Sequence, residues 1–412
     1  MDKNYTIETI EDVPGLGAVN GFKVAGAACD IRNKGDESRL DVALIVSDAP
    51  ATASGVFTTN DVKAAPVMLD MAHLEASTKV KAIVANSGNA NACTGDRGMK
   101  DAADTCAFVA EIFGAKPEQV LVCSTGRIGE FMPMEKLRRG IKKASEILSS
   151  SDESSAAAAS AIMTSDTRPK TVLVNVEVGG KKFRVAGMAK GAGMIEPNMA
   201  TMLAFLASDV SVSQNLLKET LKSAANKTFN RITVDGDMST NDTVLCLCNG
   251  ASGVEISEKD ADAIEAFRAA VVEASRVLAR KIVGDGEKIT KVVEVKVVGA
   301  RDEAQAEKIC RSIGNSLLVK SSWFGCDPNW GRLTDAAGYA RTGLVLDKLD
   351  LFYDGVEVLR KGQPVDENKP LWRKIVSNKT FTILMNLNLG TAEESILAAD
   401  LTEGYVNFNK GE

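Results

Sequence analysis

Histidine is nearly absent: one residue, His73, in a chain of 412. A Ser-His-Asp triad would have to use it, and no G-x-S-x-G elbow accompanies it. Zinc sites built on several histidines are excluded by counting, and no metal is expected. His73 sits in Met71-Ala72-His73-Leu74 and reads as a helix-surface residue. Any acyl-transfer chemistry therefore needs a base other than histidine. No C-x-x-C pair occurs among Cys29, Cys93, Cys106, Cys123, Cys246, Cys248, Cys310 and Cys326. Their irregular spacing reads as buried free thiols. Cys246 and Cys248 lie in an apolar run, where alternate residues of a strand share a face without any ligand role. There is no basic surplus. The net charge is −6, which argues against a nucleic-acid footprint. No unbroken apolar run approaches the roughly 20 residues that a membrane helix needs. The opening Met1-Asp2-Lys3-Asn4-Tyr5-Thr6-Ile7-Glu8 has no apolar h-region. The expectation is a cytoplasmic enzyme with no membrane and no nucleic-acid partner.

What is present is ordinary globular composition, 45% hydrophobic and 25% charged, in a chain long enough for two or three domains. Strand-like runs cover 40–47, 80–86, 119–123, 171–178, 182–186, 202–207, 231–234, 243–248, 291–298, 344–353, 355–359 and 380–389. Gly179-Gly180 between two of them is a hairpin signal. Helical periodicity covers 99–113, 134–148, 154–163, 213–228, 260–283, 302–313 and 392–399. Strands cluster in pairs rather than alternating with helices. That pattern predicts an α+β layered sandwich over a doubly wound parallel sheet. Ser151 or Asp152 is the expected N-cap of the next helix. A boundary is expected after Glu287, where a long helical pattern gives way to a strand-rich third.

The most unusual stretch is Lys190-Gly191-Ala192-Gly193-Met194-Ile195-Glu196-Pro197-Asn198-Met199-Ala200-Thr201-Met202-Leu203-Ala204. It fits neither G-x-x-x-x-G-K nor G-x-G-x-x-G, so a phosphate cradle is poorly supported. From the residues alone, a loop feeding the strand at 202–207 is the simpler account. A functional account needs a nucleophile that works without histidine. A threonine at a chain terminus is one: its hydroxyl attacks and its own α-amine is the base. An α-amine titrates near 7.7–8.0, so an appreciable fraction is neutral at working pH. To create that terminus, the same hydroxyl attacks the preceding carbonyl. Ala200 is small and leaves that carbonyl approachable, and Pro197 prevents a continuous helix.

This stretch resembles the self-cleavage site of the ornithine acetyltransferase (bifunctional glutamate N-acetyltransferase) family. The resemblance continues in Gly55-Val56-Phe57-Thr58-Thr59-Asn60 with Lys63-Ala64-Ala65-Pro66-Val67. It appears again in Ala85-Asn86-Ser87-Gly88-Asn89-Ala90-Asn91-Ala92 and in Met163-Thr164-Ser165-Asp166-Thr167-Arg168-Pro169-Lys170. Thr233-Val234-Asp235-Gly236-Asp237-Met238-Ser239-Thr240-Asn241-Asp242 and Asp327-Pro328-Asn329-Trp330-Gly331-Arg332 complete it. It implies a sandwich of the N-terminal-nucleophile-like type over 1–288 and a smaller C-terminal α/β domain over 289–412. The tail of that smaller domain returns to the active site. Cleavage between Ala200 and Thr201 would give an alpha chain, 1–200, and a beta chain, 201–412. Two of each would form a heterotetramer. Thr201 would take acetyl from N-acetylornithine, release ornithine, and pass the acetyl to glutamate in a ping-pong sequence. No cofactor is implied, and acetyl-CoA is left open as a second acetyl donor.

The same resemblance fixes roles for individual residues. Ser124-Thr125-Gly126 follows an apolar run and on its own reads as a turn. The resemblance makes Thr125 and Gly126 the oxyanion hole. Glu287, in Gly284-Asp285-Gly286-Glu287, reads alone as a solvated acid after a glycine helix cap. The resemblance makes it a carboxylate that contacts substrate. Thr164, Lys190 and Asn409 match substrate-binding positions, and Lys190 would attract a substrate carboxylate. Three features depart from the family pattern. Arg127 stands where a small apolar residue is common, and Lys288 where glycine is usual. The end Tyr405-Val406-Asn407-Phe408-Asn409-Lys410-Gly411-Glu412 stops short of the family's final hydroxyl residue, so an altered acceptor pocket is expected. Two competing functions are a self-cleaving aminopeptidase or amidase of the related type, and a non-catalytic ligand-binding paralogue.

Overall fold

The computed structural model describes residues 4–11, 15–196 and 202–410. The fold is mixed α and β, with paired strands and helices in layers, as the clustering of strand signals predicts. The chain divides into two compact units. The first comprises Met1–Gly191, Asn198–Asn230 and Met238–Ile282; the second comprises Ala192–Pro197, Arg231–Asp237 and Val283–Glu412.

The first unit is built on a sheet of nine strands among the described residues. Across the sheet they run Tyr5–Glu11, Lys170–Val178, Lys181–Lys190, Leu203–Ser208, Thr243–Cys248, Val42–Phe57, Lys79–Asn89 and Val120–Arg127, with Phe22–Ala27 paired to Val42–Phe57. Val178 pairs with Lys181, so Gly179-Gly180 is the two-residue hairpin turn expected, with φ of 56° and 74°. Both faces of the sheet are covered. Val42, Leu44, Ala82, Val84 and Val122 pack with Cys106, Val109, Leu137 and Ile141 of two helices, Gly95–Phe113 and Met134–Glu146. The alternate residues Ala43, Ile45, Ile83, Ala85 and Leu121 pack with Ala158 and Ala159 of the helix Asp152–Ala161. Burial on both faces explains why these strands read as unbroken apolar runs. Ser151 caps Asp152–Ala161 by accepting the Ser154 N–H at 3.2 Å. His73 lies on the helix Ala65–Ala76, half-buried, with Nδ1 2.8 Å from the Val120 carbonyl oxygen.

The second unit has a seven-stranded sheet among the described residues, buried differently. In Val292–Ala300, Val293, Val295 and Val297 face a core with Ile309, Cys310, Ile313, Trp323, Ile383 and Met385. Their neighbours Glu294 and Lys296 are only half-buried, the period-two pattern of a sheet covered on one face. One expectation fails here. Residues 392–399, read as helical, form the strand Ala392–Ala399. It pairs antiparallel with Val292–Ala300 and parallel with Ile232–Thr233. Alanine, glutamate and leucine favour helix in isolation, but two ladders of backbone hydrogen bonds override that preference. The strand read at 344–353 is likewise confined to Asp350–Tyr353, after a 3₁₀ turn at Leu346–Lys348.

Candidate active site

Thr201 and Ala200 lie outside the described residues. The other expected site residues fall into two groups, one in each unit.

In the first unit, Thr125 and Gly126 end the strand Val120–Arg127, which pairs in parallel with Lys79–Asn89. Gly126 has φ of 135°, and a Cβ on it would come within 2.3 Å of the Gly88 carbonyl carbon. It is a glycine because two main chains nearly touch there, a reason the turn reading misses. Asparagines hold this approach. Asn86 Nδ2 donates to the Asn89 carbonyl oxygen at 2.9 Å, and the Ser124 hydroxyl donates to Asn86 Oδ1 at 2.7 Å. Asn241 Nδ2 donates to the carbonyl oxygens of Ala90 at 2.6 Å and Ser124 at 2.9 Å.

Thr125 and Lys190 are brought together. Both are buried, and Lys190 Nζ donates to Thr125 Oγ1 at 3.2 Å. Beside them stands Asp166, which sequence reasoning left without a role. Its carboxylate accepts from Lys170 Nζ at 2.6 Å, from the Gly191 N–H at 2.7 Å and from the Thr164 N–H at 3.0 Å. Burial alone would raise its pKa. The ammonium groups of Lys190 and Lys170 outweigh that and hold it down to about 2. Asp166 is thus a fixed anion that ties Thr164 to the start of the glycine-rich stretch. Its signal was present in the Asp166…Lys170 spacing. Arg127, the unexpected charge, pairs with Glu130 at 3.2 Å, both about half exposed.

At Met202, the residue after Thr201 in the sequence, the N–H donates to Asp242 Oδ1 at 2.9 Å. Asp242 is wholly buried, and burial pushes its carboxyl well above the usual range. Its Oδ2 has no hydrogen-bond partner among the described residues.

In the second unit, Glu287 and Asn409 meet. Asn409 Nδ2 donates to Glu287 Oε2 at 3.1 Å and to the Tyr405 carbonyl oxygen at 3.0 Å. The Glu287 N–H donates to the Ala192 carbonyl oxygen at 2.9 Å. The Glu287 carboxylate lies over Gly193, where a Cβ would fall 2.5 Å from the carboxyl carbon. Met194 and Ile195 donate their N–H groups to Asp235 at 2.6 and 2.8 Å. The Tyr405 hydroxyl donates to Asp235 at 3.2 Å. Burial raises the Asp235 pKa, and the N–H groups of Met194, Asp237 and Ile195 offset part of that by stabilising its charged form. Lys288 has φ of 55°, which explains why glycine suits the position. Its ammonium lies 5.3 Å from the Phe408 ring centroid.

Comparison with known proteins gives a consistent result. The ArgJ family model matches residues 23–411. The arginine biosynthesis bifunctional protein ArgJ of Geobacter sulfurreducens is 45% identical over 392 residues, covering 95% of this chain and 98% of that protein. Its counterpart in Thermotoga neapolitana is 44% identical, covering 94% of this chain and 98% of that one. Among solved structures, ornithine acetyltransferase of Mycobacterium tuberculosis complexed with ornithine is 37% identical. That match covers 47% of this chain and 98% of that chain, with a TM-score of 0.43.

Proposed function

The chain belongs to the ArgJ family of arginine-biosynthesis acetyltransferases, and on that premise we propose that it cuts itself before Thr201 and carries acetyl on that residue from N-acetylornithine to glutamate. In the cut, Thr201 Oγ bonds to the Ala200 carbonyl carbon and the peptide C–N bond breaks. The hydroxyl proton ends on the released nitrogen. Water then hydrolyses the ester, leaving the Ala200 carboxylate and a free α-amine on Thr201. In transfer, Thr201 Oγ attacks the acetyl carbonyl while the α-amine takes its proton and returns it to the departing ornithine nitrogen. Glutamate's amine attacks the acetyl ester, and N-acetylglutamate leaves.

The Lys190–Thr125 hydrogen bond carries this reading. An ammonium can only donate, so Thr125 Oγ1 accepts, and its own O–H is left to donate. With the Gly126 N–H, that hydroxyl supplies two donors fixed in advance for a developing oxyanion. Thr164, Lys190, Glu287 and Asn409 contact substrate in this scheme, with Lys190 facing a carboxylate and Glu287 an ammonium. Acetyl-CoA is proposed as a second acetyl donor to glutamate. A cytoplasmic enzyme of two alpha and two beta chains is part of the proposal. The hydrolytic aminopeptidase reading and the non-catalytic reading are set aside, since relatives aligned over nearly the whole chain are named for biosynthesis.

Intact-mass measurement and N-terminal sequencing test the scheme. A fragment beginning Thr-Met-Leu-Ala-Phe is expected, and Thr201→Ala should abolish both cutting and transfer. An active enzyme consisting only of the uncut chain would refute the nucleophile.

A further inference from the structure

Among the described residues, Val120–Arg127 is the last strand of its sheet, with Lys79–Asn89 on one side and no strand on the other. Pairing with that inner neighbour is regular from Ala82–Val120 to Gly88–Gly126 and shifts at Asn89. The inner ladder is thus least regular where Thr125 and Gly126 stand. An open edge leaves main-chain groups without a ladder. Here side chains take the place of the missing strand. Val120, Val122 and Ser124 are alternate residues, so their main-chain groups face the same edge. His73 Nδ1 lies 2.8 Å from the Val120 carbonyl oxygen and must carry the proton, because a carbonyl only accepts. Asp70 Oδ1 accepts the Val122 N–H at 2.8 Å. Asn241 Nδ2 donates to the Ser124 carbonyl oxygen at 2.9 Å and to that of Ala90, just past the inner strand, at 2.6 Å.

These three side chains belong to one connected body within the first unit. Asp70 and His73 are three residues apart on the helix Ala65–Ala76 and so share a face. The helix begins against the loop that carries Asn241, since the Ala64 N–H donates to the Thr240 carbonyl oxygen at 2.9 Å. Asn241 is itself held: its Oδ1 accepts the Thr240 hydroxyl at 2.6 Å, and its N–H donates to Ser239 Oγ at 3.1 Å. Asp70 and Asn241 are buried. Burial pushes the Asp70 carboxyl well above the usual range, so the neutral acid holds Val122. Keeping another chain off the edge would need only a lysine or a proline there. Buried polar groups cost desolvation and return a fixed position for each main-chain group they meet. Oxyanion donors depend on that fixity, because they act by being in place before the charge develops.

Resting on the reading of Thr125 and Gly126 as oxyanion donors, we propose that Asn241, Asp70 and His73 are positioning residues of acetyl transfer, holding the outer edge of Val120–Arg127 so that those donors keep their place. The test measures kcat and KM per cut chain, counted by intact mass, beside the thermal unfolding midpoint of each variant. Asn241→Ala frees the carbonyl next to Thr125 and should lower kcat about tenfold or more, with KM within about twofold. Asp70→Ala acts one ladder position further away and should lower kcat less, and His73→Ala least. The midpoints should follow burial instead, with the wholly buried Asp70 costing most. Asp70→Asn keeps the acceptor oxygen and should bring kcat back to within about threefold of wild type. Protection of the edge alone does not produce a kcat ranking by position along the strand that is out of step with the midpoints. Asn241→Ala combined with Thr125→Ala should lose less than the two apart, since one acts through the other.

Wild-type kcat in Asn241→Ala and Asp70→Ala, whatever their midpoints, would overturn the proposal. So would losses confined to KM, or an Asp70→Asn enzyme as slow as Asp70→Ala. If Asn241→Ala gives no folded or no cut enzyme, Asp70→Ala against Asp70→Asn decides. Thr125→Ala run in parallel separates the two layers. If it keeps wild-type kcat, the oxyanion reading has failed; if it loses kcat while the Asp70 and Asn241 variants keep theirs, only the positioning role has.

Discussion

The two groups of site residues differ in how far they are withdrawn from water. Thr125 and Lys190 are buried at 3% and 2% exposure, and Asp166 beside them is held as an anion by two ammonium groups. Glu287 is half-buried, and its partner Asn409 is exposed near the end of the chain. The buried group can act strongly on a developing charge, because little water competes and nothing must reorganise. The exposed group acts in a medium that weakens every polar contact, which suits the capture and release of a soluble amino acid. The first group should therefore govern kcat, and the second KM.

The largest break in this comparison should come from Lys190→Met. It removes a buried cation that supports Thr125 and helps hold Asp166 ionised. Losing one member of a buried charged set costs on the order of 3–5 kcal/mol, so both stability and turnover should fall. Denaturant unfolding together with steady-state kinetics checks this. Unchanged stability would show that the buried group is not a coupled unit. Next comes Thr125→Ala, which deletes one of the two proposed oxyanion donors. A loss on the order of 3 kcal/mol is expected in kcat, with KM little changed. A pure KM effect would contradict the assignment.

Asp166 sharpens the comparison through pH. Its pKa in the folded chain, about 2, lies below the ordinary 3.8. The unfolded chain therefore binds the proton more readily between these values. The stability contributed by Asp166 is present above the unfolded pKa and is lost as pH falls from about 4 through about 2. Unfolding free energy measured across that window should decline, and Asp166→Asn should lack this component of the decline.

How much of this was legible in the sequence depends on the range over which each feature is determined. The Gly179-Gly180 turn and the Ser151 cap are set by neighbouring residues, and both were read correctly. The strand Ala392–Ala399 was misread because its identity comes from partners about a hundred and more residues away. Gly126 was visible as a glycine, but its reason is the Gly88 main chain, which only the pairing of two strands brings close. Asp166, Asp235 and Asp242 all stood inside motifs noted for the family resemblance. Apart from the Asp166…Lys170 spacing, nothing in one dimension distinguished them from solvated turn acids. Burial and the N–H groups aimed at them did so.

The smallest expected effect is at Asn409, and it tests the comparison most directly. Its amide donates to Glu287 Oε2 at 3.1 Å and to the Tyr405 carbonyl oxygen at 3.0 Å, from an exposed position. Water can replace either bond in the unliganded enzyme, so Asn409→Ala should leave folding stability nearly unchanged. With substrate bound, water is displaced and the loss is felt. About 1 kcal/mol, or roughly fivefold in KM, is the expected size. Combining it with Glu287→Gln should give less than the sum of the two effects, because the side chains touch. Combining it with Thr125→Ala should give the sum, if one group serves binding and the other the transition state. A kcat loss at constant KM for Asn409→Ala, or strong coupling to Thr125, would mean that the exposed and buried groups act in the same step, and the division of labour argued from their burial would be wrong.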